Sequence, residues 1–89
     1  MTNQQYQKHI ENFWTIRKTK KISHQVSDLY FALLDELSNA KSKSVTLTDE
    51  YLKEKTGIVW IDNYRQELVD AQLIEVNTIA ASTFNYSII

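Results

Sequence analysis

The chain has 89 residues, room for one domain with one modest core. Hydrophobic residues make up 43% and charged residues 24%, and with two Trp, five Tyr and three Phe the chain is not a disordered polar one. A formal net charge of −1 gives the whole molecule no general attraction for nucleic acid or an anionic membrane, and the lack of cysteine excludes disulfides and thiolate metal sites.

The charge is unevenly spread. Residues 1–21 hold Lys8, Arg17, Lys18, Lys20 and Lys21 against Glu11 alone, whereas from Gln66 onward there are Glu67, Asp70 and Glu75 and no Lys or Arg. An anionic partner is therefore expected to meet the N-terminal part first. The polar start Met1-Thr2-Asn3-Gln4-Gln5 lacks the apolar core of a signal peptide. The apolar run Tyr30 to Leu34 falls far short of the ~20 residues that cross a bilayer, so a cytoplasmic protein without a membrane partner is expected.

A first helix is predicted over Asn3 to Thr19, where Tyr6, Ile10, Phe13, Trp14 and Arg17 fall at helical spacing and gather the aromatics on one stripe. The second helix carries the strongest pattern. Ile22, Val26, Leu29, Tyr30, Leu33, Leu34 and Leu37 keep one face, and Ser23 stands at the N-cap. After a polar loop from Asn39 to Ser44, Val45, Thr46 and Leu47 alternate as a short strand. Thr48 then caps a short third helix with Asp49 and Glu50 in its first turn and Lys53 and Lys55 toward its end. The lone glycine, Gly57, supplies a left-handed stop. A fourth helix fits Val59 to Gln72, with Ile61, Tyr64, Leu68 and Ala71 as its buried stripe. Ile74 to Ile79 and Thr83 to Ile89 alternate as two strands joined at Ala80-Ala81-Ser82.

The order α-α-β-α-α-β-β predicts an α+β fold: a single winged helix-turn-helix domain over residues 1–89, with a small antiparallel sheet that the Val45 strand completes. The residues that build it resemble the N-terminal winged-helix domain of DnaD-like and phage replication initiator proteins. These are Phe13 and Trp14 on the first helix, the Ser23 to Leu37 helix, Thr56-Gly57, Arg65 to Leu68, Leu73-Ile74, and Tyr86-Ser87-Ile88. The resemblance implies a role with DNA in replication or its initiation, and a capacity to self-associate. Two features depart from that pattern. The segment between Gly57 and Glu67 is about two residues short and lacks a Ser or Thr cap, and the wing carries no Lys or Arg.

No enzyme is expected. One glycine leaves no phosphate-cradling loop and no nucleophile elbow. The two histidines, His9 and His24, stand in no pattern for metal ligation or a catalytic triad, and Asp49 with Glu50 reads as a pair of helix-start acids. Neither a cofactor, a metal nor a small-molecule substrate is implied.

Recognition has more to work with. At about 100° per residue, the arc opposite the buried stripe of the fourth helix presents Val59, Asp62, Asn63, Gln66 and Asp70. Asn63 and Gln66 are the residue types that read adenine edges, and Arg65 flanks them, within reach of a phosphate or of the core rim. Asp62 and Asp70 would repel phosphates. Arg17, Lys18, Lys20 and Lys21 form the only basic concentration and are candidate phosphate contacts, or else a solvated inter-helix loop.

Double-stranded DNA is thus the expected partner. The alternative is a protein-interaction module that keeps the fold without DNA binding, using Trp60, Phe13 and Trp14 toward a partner protein or a second copy in a homodimer.

Overall fold

The computed structural model describes residues 2–89 and shows an α+β chain of four helices and one three-stranded antiparallel sheet. Helix α1 spans Asn3–Lys20, α2 His24–Ala40, α3 Asp49–Thr56 and α4 Ile61–Asp70; the strands are β1, Val45–Thr48, β2, Ile74–Ala80, and β3, Thr83–Ile88. This order is compatible with the layout expected of the sequence.

Local chemistry sets most of the boundaries. Thr2 and Gln5 form a reciprocal capping box at the start of α1: the Thr2 hydroxyl accepts from the Gln5 amide at 3.2 Å, and Gln5 Oε1 accepts from the Thr2 amide at 2.9 Å. Arg17, Lys18 and Lys20 fill the last turn, at the negative end of the helix dipole, and Lys21 turns left-handed at φ 53° to end it. Ser23 caps α2 through the Val26 amide at 3.3 Å, and Thr48 caps α3 through the Tyr51 amide at 3.1 Å. Gly57 adopts φ 74° and donates its amide to the Lys53 carbonyl at 2.8 Å, closing α3 where a side chain would be strained.

Helix α2 is the spine. Val26, Leu29, Tyr30, Leu33, Leu34 and Leu37 are all buried, each contributing roughly 1.5–3 kcal/mol by leaving water. Phe13 of α1 stacks on Tyr30 with ring centroids 4.4 Å apart and 13° between planes, and the Tyr30 hydroxyl donates to the His9 carbonyl at 3.3 Å. Burial pushes the Tyr30 phenol well above its ordinary pKa. Leu52 of α3, Ile61 and Leu68 of α4, then Leu73, Ile74 and Tyr86 close the same core.

The sheet order is β1-β3-β2, so the last strand lies in the middle. Val45 pairs with Tyr86 and Leu47 with Phe84 on one side, while Val76 pairs with Tyr86 and Ile74 with Ile88 on the other. A register shift between Thr78 and Ala80 leaves Ile79 exposed near the hairpin tip. The Asp49 amide donates to the Ser82 carbonyl at 2.9 Å, which sews the start of α3 to that tip.

Helix α4 is shorter than the pattern Val59 to Gln72 suggested. Trp60 sits at its N-cap with φ −93°, ψ 55° and no side-chain cap, and Gln72 turns left-handed at φ 59° beyond the C-cap Ala71. With no Ser, Thr, Asp or Asn ahead of Ile61, nothing draws the helix start back to Val59. Val59 therefore belongs to the turn and not to the outer arc of the helix. Among the described residues, no helix is long and apolar enough to cross a membrane.

Candidate nucleic-acid interface

Ile61 and Leu68 anchor α4 in the core and turn Asp62, Asn63, Gln66, Glu67 and Asp70 to solvent. Asn63 and Gln66 thus stand on the exposed face expected for them. Gln66 Nε2 donates to Asp70 Oδ1 at 2.8 Å, one turn along, so its amide oxygen stays free to accept.

Arg65 does not belong to this surface. The residue is buried, with its guanidinium centre 3.9 Å from the Phe84 ring centroid, and Nε donates to the Tyr86 hydroxyl at 3.0 Å. Nη1 bonds Asp62 at 2.9 Å and Nη2 bonds Asp49. Nε, Nη1 and Nη2 are each engaged within the protein, and the expected role as a flanking DNA contact is corrected: a phosphate would have to displace two carboxylates and a phenol. Asp49 is correspondingly more than a helix-start acid, since it is the buried counter-ion of Arg65.

The basic group is divided. Lys18, Lys20 and Lys21 are exposed at the end of α1, where Lys20 lines a shallow depression with Glu67 and Asp70 of α4. That depression joins the end of α1 to the acidic C-terminal part of α4, away from the α3–α4 turn. Arg17 is partly buried; its guanidinium lies 5.1 Å from the Trp14 ring centroid and Nη2 is 3.4 Å from His24 Nδ1.

Of the expected partner-binding aromatics, Phe13 is wholly enclosed by Tyr30, Phe31 and Trp14 and has no surface to offer a partner. Its ring stacks on Tyr30 and meets Phe31 and Trp14 edge-on. Trp14 remains 45% exposed. Val59 and Trp60 are 69% and 65% exposed at the turn, lining a shallow groove with Lys53, Asp62 and Asn63.

A second polar cluster lies outside this surface and was not visible in the sequence. Lys55 of α3 bridges Asp35 at 2.8 Å and Glu36 at 2.9 Å on α2, and the Tyr51 hydroxyl donates to Glu36. That hydrogen bond, aided by Lys55, holds the Glu36 carboxyl below its ordinary pKa. The cluster ties α3 to α2. No group of three or more His, Asp or Glu side chains among the described residues is placed to hold a metal ion. No protein-family model, characterised protein or solved structure matches this chain.

Proposed function

We propose that this chain is a winged helix-turn-helix domain that binds double-stranded DNA, with α4 as its recognition helix and the β2–β3 hairpin as its wing. Its setting would be replication or transcription control in a phage- or plasmid-like element, as the sequence resemblance implies. One observation carries the reading: α3, the Gly57 turn and α4 run directly into the hairpin, and the face of α4 turned from the core exposes Asn63 and Gln66. Their amides match the donor–acceptor edge of adenine in the major groove.

Lys18, Lys20 and Lys21 would supply phosphate contacts, which position the domain without reading sequence. Asp62, Glu67 and Asp70 repel phosphates from the same helix, so the expected affinity is weak, and with few basic contacts its salt dependence is modest. Titration of an arbitrary duplex at low salt tests the reading. Three lysine contacts predict a log–log salt slope of about −3, at roughly −0.9 per phosphate. No binding at tens of micromolar protein would end it.

A second reading is favoured by Val59 and Trp60, adjacent in the turn and more than half exposed, and by a hairpin whose only charge is Glu75. It is a protein-interaction module that has kept the fold and docks a partner, or a second copy, through Trp60 and Trp14. Self-association in sedimentation, abolished by Trp60→Ala and accompanied by no DNA binding, would select it.

A further inference from the structure

We propose that the cleft between the start of α1, the end of α2 and β3 binds a small phosphate monoester, its phosphate on Lys41 and Lys43 and its organic part against Leu37 and Ile88. The site stands apart from the DNA reading above and does not rest on it.

The cleft holds about 440 Å³, within the range of small-molecule sites, roughly 300–1,000 Å³. Lys41 turns left-handed at φ 52° after the last residue of α2, and Lys41, Ser42 and Lys43 all line the same opening. Leu37, one turn earlier on α2, is buried, and Ile88 of β3 is half-buried; together they make the apolar part of the lining. Gln5 and His9 arrive from the first turns of α1.

The charge of this lining has one sign. No carboxylate contributes to it, and Glu75, opposite Ser87 in the β2–β3 register, stays outside. The ion pairs among the described residues use Lys55 and Arg65, which leaves Lys41 and Lys43 without a counter-ion. The neutral groups add donors. Gln5 gives Oε1 to the Thr2 amide and keeps Nε2 unused, and Ser42 Oγ accepts from the Ser44 amide at 3.3 Å and keeps its proton. Burial holds the His9 ring neutral near pH 7, with one N–H.

Two ammonium groups match the charge of a phosphate monoester, about −2 near neutral pH. Its three terminal oxygens outnumber the two of a carboxylate and can accept from the additional donors. Bare phosphate would leave Leu37 and Ile88 facing water, whereas an organic substituent covers them. The position separates this cleft from the surface assigned to DNA. Val45 pairs with Tyr86 and Thr48 with Thr83, so the loop ahead of Val45 lies at the end of the sheet away from the hairpin tip. On α1, His9 stands roughly 14 Å along the axis from Lys18.

The test titrates phenyl phosphate, inorganic phosphate and benzoate into the intact chain near neutral pH, followed by NMR. Phenyl phosphate should shift the Lys41, Ser42 and Lys43 amides and the His9 ring saturably. It should bind about tenfold tighter than inorganic phosphate, which lacks the ring, and tighter than benzoate, which lacks a charge. Lys41→Gln with Lys43→Gln, both at exposed positions, should weaken it about tenfold. Ile88→Ala should remove the preference for phenyl phosphate while leaving inorganic phosphate unchanged, a pattern that a folding defect would not give. No saturable shift, or equal binding by the double lysine variant, would overturn the site. Inorganic phosphate binding as tightly as phenyl phosphate would overturn the monoester assignment. Duplex DNA that displaced phenyl phosphate from these residues would overturn the proposal in favour of a backbone contact; a chain that binds phenyl phosphate and no DNA would keep the site and lose the DNA reading.

Discussion

Arg65 Nε donates to the Tyr86 hydroxyl at 3.0 Å, joining α4 to the central strand of the sheet. The same guanidinium covers Phe84 and pairs with Asp49, so one side chain ties α4, α3 and β3 together. Arg65→Ala should therefore act as a folding variant. Leaving Asp49 buried without its counter-ion is expected to cost about 3–5 kcal/mol, read by urea unfolding. In Asp49→Asn the loss from Arg65→Ala should shrink, because the stranded charge is gone; equal losses in both backgrounds would show that the pair is not coupled.

Gly57 isolates backbone strain from packing. Its φ is 74°, and a Cβ added there would meet nothing within 4 Å. Gly57→Ala should cost about 1 kcal/mol through the left-handed conformation alone, with Gly57→Asn cheaper. A loss several times larger would mean that the α3–α4 turn itself had rearranged.

Phe13 reports whether α1 is part of the cooperative core. It is fully buried and stacked on Tyr30, so Phe13→Ala should destabilise the whole domain by about 3–5 kcal/mol. Loss of α1 helicity at one denaturant concentration and of the sheet at another would contradict this. Trp14→Ala, at an exposed position, should cost much less.

Two groups make the protein acid-sensitive in separate windows. Glu36 is held below 4.5 first by the Tyr51 hydroxyl and then by Lys55, so its contribution is present above that value and lost as pH falls through the lower folded value. Burial lowers His9 from 6.5; the unfolded chain thus takes up that proton first, and stability declines as pH drops below about 6.5. Unfolding at a series of pH values should show both declines. Glu36→Gln should flatten the lower one alone, and His9→Gln the upper one alone.

Changing Lys18, Lys20 and Lys21 together to Ala should weaken DNA binding uniformly across sequences and flatten its salt dependence. Asn63→Ala and Gln66→Ala should instead cost about 1–3 kcal/mol each, only on preferred sequences, with the salt slope unchanged. Competition between duplexes of different sequence distinguishes the two patterns.

Much of the scaffold was legible along the chain because its causes are local. Ser23 and Thr48 cap the helices whose periodicity begins just after them, Gly57 is left-handed, and the alternation read over Ile74–Ile79 and Thr83–Ile89 falls on the strands Ile74–Ala80 and Thr83–Ile88. The start of α4 was harder to place: without a capping residue its pattern could run back to Val59, and only the backbone at Trp60 ends it. The exposed positions of Asn63 and Gln66 also followed from helical spacing.

By itself the sequence determined which segments become helix or strand and which face of each is apolar, since spacing and caps act over a few residues. Only the tertiary structure decided what the charged side chains do. Arg65 finds Asp49 and Tyr86, 16 and 21 residues away, and Arg17 finds His24 across a helix junction. Such partners meet only after the elements pack, and whether a cation is a surface contact or an internal tie depends on that meeting, because burial makes an unpaired charge costly and a paired one structural.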